Sequence, residues 1–289
     1  MINAKNRLFD EQGFAIGWIP PFSNDKSLLQ ARVDFFKNSG NKTISYITSE
    51  YDNFIKAFEI SLFKHKSIKV KGIELFRQRD VITGCQHFID QLIMTHGLDN
   101  LQVFKGGYNY YKKLDPSFKH VTLESMEPGK PLIVEYPFPS VGDVHPEYKQ
   151  IISKANEIGV DVYLDCAWLP SSWNLELDLS ENCIKGMAIS LSKCFGLHWS
   201  RIGVRWLKEE VQDTIAIENE YRMVSYPNVM IGKYYLDQFP MDFLITKYKQ
   251  AYLNLCTAHD LSPCKTIMSA YSKEKQCMVG VANFLLKND

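Results

Sequence analysis

The sequence predicts an α/β protein built on a mainly parallel sheet. Apolar runs of strand length alternate with helical periodicity through the middle of the chain, the pattern of strand–helix–strand units. Three chemistry-bearing residues, Tyr108, Asp165 and Lys193, each follow one of those apolar runs. Ligands of open α/β sheets sit outside the carboxyl ends of strands, so this places the three on one rim.

In chain order, the first forty-odd residues read as irregular, with Pro20-Pro21 marking a turn. The basic run from Lys64 to Lys71 reads as a solvated helix end and loop. Gly84 to Gly97 predicts a helix, with Phe88, Ile89, Leu92 and Ile93 forming its apolar stripe and Gly97 its stop. Leu101–Phe104 predicts a strand that ends at Gly106-Gly107, His120–Leu123 a weaker strand and Pro131–Glu135 a stronger one. Pro146 opens a helix where its missing N–H costs nothing, and Gly159 ends that helix. Strands follow at Val160–Leu164, Met187–Leu191 and Ile202–Trp206. The chain is then mostly helical to about His259, and Thr266–Ala270 against Met278–Phe284 reads as a small hairpin.

The length, 289 residues, suits one large domain or two unequal ones. Lys plus Arg equals Asp plus Glu at 33 each, so charge offers nothing to a nucleic acid. There is no signal-peptide h-region at the start and no apolar run of membrane-spanning length, so no membrane partner is expected. Seven cysteines without a C-x-x-C pair read as small thiols of a reduced, cytoplasmic protein, Cys194 among them. The histidines lack metal-ligand spacing, so no metal is expected. Phosphate-binding and hydrolase signatures, G-x-G-x-x-G, G-x-x-x-x-G-K-S/T and G-x-S-x-G, are missing from the sequence. A nucleotide-binding α/β protein of another kind is thereby disfavoured.

The densest chemistry lies in Ser190-Leu-Ser192-Lys193-Cys-Phe-Gly196-Leu-His-Trp-Ser-Arg201-Ile-Gly203. A lysine leaving a buried strand is poorly hydrated, which lowers its pKa and makes it a nucleophile toward aldehydes. Ser190, Ser192 and Arg201 supply hydroxyls and a bidentate fork for a phosphate beside such an aldehyde. Thr83-Gly84-Cys85-Gln86, a strand-to-helix turn, offers further unpaired N–H groups to an anion. Asp165, at a strand end, needs a cationic partner, and a protonated pyridine nitrogen would be one. Tyr108 offers a ring to stack on a flat ligand. The aldehyde these groups suit is pyridoxal 5'-phosphate.

This set resembles the fold-type I pyridoxal-phosphate enzymes, most of all the class I/II aminotransferases of the aspartate aminotransferase type. The S-x-S-K-x-x-G-x-x-x-x-R-x-G pattern is matched at Ser190, Ser192, Lys193, Gly196, Arg201 and Gly203, and the resemblance spans about Tyr46 to Trp206. It implies a seven-stranded, mainly parallel sheet sandwiched by helices, with a large domain over 46–235. A reduced small domain would be formed by 1–45 and 236–289. It also implies an aminotransferase acting on an amino acid or related amine through a Lys193 Schiff base. Asp165 would pair with the pyridine nitrogen and Tyr108 would stack on the ring. Ser190, Arg201 and the Gly84-Cys85-Gln86 turn would hold the phosphate. A homodimer with a shared site is implied too, with Tyr46 or Tyr51 reaching the partner's phosphate.

Three departures bear on the reaction. In Tyr136-Pro-Phe-Pro139-Ser-Val-Gly142 a proline stands where the family has an asparagine on the cofactor phenolate, and Trp168 replaces a tyrosine, leaving a single indole donor. No arginine follows Arg222, so the usual C-terminal carboxylate clamp is missing. These departures keep two alternatives in view: a lyase or decarboxylase working on an unusual amino acid, and a catalytically degenerate member retained as a partner subunit.

Overall fold

The structure, a computed structural model, describes Phe22, residues 24–39 and residues 49–286. Helices α1 (Lys26–Ser39) and α2 (Ser49–Phe63) lead to β1 (Ile68–Lys71), β2 (Gln78–Ile82), α3 (Cys85–His96) and β3 (Gln102–Phe104). Next come α4 (Tyr110–Leu114), β4 (Lys119–Val121), β5 (Leu132–Glu135), α5 (Tyr148–Ile158), β6 (Val162–Asp165) and β7 (Leu175–Asp178). Strand β8 (Ile184–Ser190), the short helix α6 (Leu191–Cys194) and β9 (Gly203–Leu207) precede α7 (Thr214–Glu220), α8 (Tyr226–Gln238) and α9 (Phe243–Ala258). The described chain ends with β10 (Leu261–Pro263), β11 (Ser269–Ser272), β12 (Cys277–Gly280) and α10 (Ala282–Leu285).

The central sheet has seven strands in the order β2-β9-β8-β6-β5-β3-β4. Strands β8, β6, β5, β3 and β4 pair in parallel. Strand β9 is antiparallel to both neighbours, β8 and β2, so β2 points the same way as β8. Buried strands of a two-sided sheet read as continuous apolar runs. Strand β5, all four residues buried, and β8 with five consecutive buried residues are of this kind. One face packs α3 through Phe88, Ile89 and Leu92 against Val103, Ile133 and Ala188. The opposite side builds the larger cluster, with Phe54 and Phe58 of α2, Ile151 and Ala155 of α5, and Val229 and Tyr235 of α8. Gly203 allows β9 to close on β8, because a Cβ there would lie 2.3 Å from the Ile189 carbonyl oxygen.

The predicted helix caps at Gly97 and Gly159 stand where expected, the latter left-handed at φ 68°. The C-terminal hairpin is β11–β12, extended by β10 into a three-stranded antiparallel sheet. Two expectations are corrected. Residues 26–39, read as irregular, form α1. Leu28 and Ala31 are buried, Phe35 packs against the core, and the Leu28 N–H donates to Asp25 Oδ1 at 2.9 Å. That cap is itself tied to α9 through Lys247 Nζ at 2.8 Å, so a tertiary contact reinforces a weak local pattern. Part of the basic run read as loop is β1, paired in parallel with β7. Ile68 is buried while Lys69 and Lys71 face outward, the alternation of a half-buried strand.

At the β2–β9 edge Arg205 is buried directly across from Asp80, with Nε 2.8 Å from its carboxylate, and it forks onto Asp213 with two bonds of 2.6 Å. Burial works against the Asp80 charge, and the guanidinium opposes that effect. Replacing Arg205 with Leu therefore leaves two acids without a counter-charge. The expected loss is about 3–5 kcal/mol of unfolding free energy, measurable by urea denaturation at neutral pH.

Candidate active site

Six chain segments deliver side chains to one rim of the sheet. Strands β2, β3, β5, β6 and β8 end there, supplying the Gly84 turn, the Gly106-Gly107-Tyr108 turn, Glu135, Asp165 and the Ser190–Lys193 segment. Arg201 precedes its strand, yet it reaches the same rim because β9 is antiparallel and starts where β8 ends, with Gly203 opposite Ser190.

Lys193 sits half-buried on a short helix of its own. The Leu191 N–H donates to the Ile202 carbonyl at 3.0 Å and the Phe195 N–H to the Leu191 carbonyl at 3.1 Å, while Leu191, Cys194 and Phe195 are fully buried around it. Burial lowers the Lys193 pKa; the Asp165 carboxylate raises it, and Arg201 lowers it further. Asp165 closes β6 at 6% exposure. Burial raises its pKa, opposed by the Ala167 N–H, at 3.0 Å from Oδ1, by the Cys85 thiol and by the Lys193 charge. Lys193 and Asp165 thus share one electrostatic environment although 28 positions separate them in sequence.

Gly84 begins α3 at φ +103°, and the Arg201 guanidinium lies on it: a Cβ there would sit 2.9 Å from Nη2. Arg201 Nε also donates to the Thr83 carbonyl at 3.0 Å. Cys85 is buried with Sγ 3.4 Å from the Ala188 carbonyl, beside Asp165 and Ser190. Ser190 and Ser192 are both buried, and among the described residues Ser192 Oγ has no hydrogen-bond partner. Gln86 is half-buried and faces Tyr110. Tyr108 is 43% exposed, its ring stacked on Tyr110 at 5.8 Å and within electrostatic reach of Asp165, Arg201 and Cys85. Trp168 is half-buried, and its carbonyl, not its indole, accepts from the Ser171 and Ser172 hydroxyls at 2.9 and 2.8 Å.

Pro139 lies in a turn closed by the Val141 and Gly142 N–H groups on the Phe138 carbonyl, with Ser140 set against Gly106. It brings no side-chain donor to that edge. Tyr51 is fully buried, with its hydroxyl donated to the Val224 carbonyl and, at 2.9 Å, to that of Arg222, so it is not presented to another copy. Tyr46 lies outside the described residues. Cys194 is a buried core thiol whose pKa burial pushes up, as expected of a space-filling residue.

Sequence reasoning missed Glu135 and Tyr111. Glu135 closes β5 directly beside Asp165 in the parallel register, so the two side chains share a face. Its Oε1 accepts the Tyr108 N–H at 2.8 Å. Burial, reinforced by the Asp165 charge and opposed by that N–H, pushes its pKa up to about 7. The apolar run Leu-Ile-Val before a terminal acid was the available signal, the same one that singled out Asp165.

No family model matches the chain, and no curated protein does. Solved structures do. The pyridoxal-phosphate-bound C-S lyase from Staphylococcus hominis superposes with a TM-score of 0.63 at 11% identity, covering 93% of this chain and 80% of that one. Tyrosine aminotransferase from Leishmania infantum gives 0.62 at 12% identity, covering 93% and 91%. L-threonine-O-3-phosphate decarboxylase from Porphyromonas gingivalis gives 0.54 at 12%, covering 83% and 79%. The fold is therefore that of the fold-type I pyridoxal-phosphate enzymes, with the expected seven-stranded, mostly parallel sheet between helices. Among the described residues, no helix is long and apolar enough to cross a membrane.

The electrostatics of the pair make a prediction for the free protein. Because the Asp165 charge raises the Lys193 pKa, Asp165→Asn lowers it further. Reductive methylation with carbon-13 formaldehyde, followed by NMR against pH, should show one lysine titrating below the surface set. That resonance should move to lower pH in the variant and be absent from Lys193→Met.

Proposed function

We propose that this chain is a pyridoxal-phosphate-dependent enzyme acting on a small amino substrate, with transamination as its leading reaction. The observation that carries the proposal is the half-buried Lys193 amine within electrostatic reach of Asp165, with the Gly84–Arg201 contact on the same rim. The donor set fits the cofactor. Ser192 Oγ is buried without a partner among the described residues, and Gly84 starts α3 beside a guanidinium. When bound, pyridoxal phosphate supplies a carbonyl for an amine and a ring that takes up the electron pair of a broken bond at the substrate α carbon.

The chain's own residues would divide the remaining work. Arg201, Ser190, Ser192 and the Gly84-Cys85-Gln86 turn would bind the phosphate. Asp165 would hold a proton on the ring nitrogen, and Tyr108 and Trp168 would orient the ring. Lys193 Nζ, made easier to deprotonate by burial, would attach the cofactor and then carry the proton at the substrate α carbon. A second reading, a lyase or decarboxylase, is supported by one observation: the fold is like that of a C-S lyase and a decarboxylase as well as an aminotransferase. Retention of the whole Lys193, Asp165, Ser190 and Arg201 set counts against a degenerate partner subunit. A homodimer completes the proposal. Trp199, two residues from Arg201 and 77% exposed, is apolar surface that a second copy would cover, and light scattering would show the doubled mass.

Incubation with pyridoxal phosphate should produce a visible absorption band, and borohydride should then fix the cofactor mass on Lys193; Lys193→Ala should show neither. Absence of both from the wild type would overturn the proposal. Arg201→Ala should weaken cofactor binding by roughly 10- to 100-fold, the scale of a lost charged hydrogen-bonding group. Gly84→Ala should act in the same direction by displacing the guanidinium. With cofactor loaded, a panel of amino donors separates the reactions. Stoichiometric keto-acid release supports transamination, whereas loss of carbon dioxide or a side-chain fragment supports the second reading.

A further inference from the structure

Glu135 has no part in the division of labour above, yet it is among the most deeply buried acids of the rim, at 3% exposure. Its Oε1 fixes the turn that carries Tyr108, and Gly107 permits this because a Cβ there would lie 2.7 Å from Oε2. The buried Tyr111 hydroxyl faces Glu135 from α4, close enough to favour its charge. On the adjacent strand Asp165 stands in direct register. Two carboxyl groups placed side by side away from water do not both ionise freely. Asp165 alone has the Lys193 amine, the Ala167 N–H and the Cys85 thiol to support its charge. Glu135 has the Tyr108 N–H, its own backbone N–H and Tyr111, but no cation.

We propose that Glu135 is a positioning residue that acts through Asp165: it takes the proton of the carboxyl pair, so that Asp165 presents a single negative charge to a ring nitrogen, and it anchors the turn that aims Tyr108. This rests on the proposed cofactor only for the identity of the ring. The groups that govern the pair are Asp165 on β6, Tyr111 on α4 and the Tyr108 N–H, with Cys85 on α3, Lys193 on α6 and Arg201 acting from the Asp165 side. As pH rises through about 7, where Glu135 loses its proton, a second negative charge arrives beside Asp165. A cationic ring nitrogen is then held more tightly.

The isosteric change Glu135→Gln keeps an acceptor for the Tyr108 N–H and removes the titration, whereas Glu135→Ala removes both. The dissociation constant for pyridoxal phosphate, read by tryptophan fluorescence quenching, should be similar for wild type and Glu135→Gln near pH 5.5. Above pH 8 the Gln variant should bind roughly threefold or more weakly, the scale of one nearby charge in a screened site. Glu135→Ala should be weaker at every pH. A constant ratio of Gln variant to wild type across the range would mean a purely structural role and would overturn the inference.

A second measurement needs no cofactor. In the free protein labelled with carbon-13 at glutamate carboxyls, one resonance should titrate near pH 7 and vanish in Glu135→Gln. It should move to lower pH in Asp165→Asn, because the neighbouring charge is gone. No movement in Asp165→Asn would show the acids uncoupled and would overturn the inference even if cofactor binding were normal. If the wild type fails to bind pyridoxal phosphate while this coupling is present, the functional reading falls and the carboxyl pair stands.

Discussion

The rim is organised by one constraint: a half-buried amine and a buried carboxylate must answer each other. Burial makes the Lys193 ammonium and the Asp165 carboxylate each unfavourable, and each offsets part of the other's cost. The balance leaves Lys193 easier to deprotonate than a surface lysine and Asp165 harder to ionise than a surface carboxylate, so that a cation beside Asp165 favours its charge. That combination is poor for stability and useful for chemistry, which is the usual arrangement of strained or destabilised functional sites.

Topology supplies the rest. Parallel strands bring their carboxyl ends to one edge, and the short helix after β8 turns Lys193 back over that edge instead of releasing it to solvent. The reversed strand β9 lets Arg201, which comes before its strand, meet the Gly84 turn, which comes after β2. A fully parallel sheet would have put the arginine on the opposite rim. The likeness to a C-S lyase, an aminotransferase and a decarboxylase at 11–12% identity fits a scaffold of this kind. The sheet fixes where a site can form, and the residues around it select which bond breaks.

Much of this was legible in the residues. Apolar runs closed by Gly97, Gly159, Asp165 and Ser190 marked the central strands and their helices, because buried parallel strands leave an unbroken hydrophobic trace. Helix α1 was not legible. Its apolar stripe is narrow, and the Asp25 cap draws on Lys247 of α9, far along the chain. Strand β1 was hidden by its lysines, which alternate outward in a pairing with β7 that no local pattern shows. Within the site, Lys193, Asp165 and Arg201 were found by their motif. Glu135 escaped because a lone acid at a strand end gains meaning only when register sets another acid beside it. Tyr51 showed the opposite failure: its sequence position suggested a tyrosine for the neighbouring copy, and the fold gave its hydroxyl to two backbone carbonyls.

The pairing at the centre of the site is most directly tested on the ring nitrogen itself. Protein loaded with pyridoxal phosphate carrying nitrogen-15 in the ring should show, by NMR, the chemical shift of a protonated pyridinium at neutral pH, reverting toward that of neutral pyridine in Asp165→Asn. A neutral-pyridine shift in the wild type, unchanged by that substitution, would contradict the placement of Asp165 opposite the ring and with it the arrangement built on Lys193.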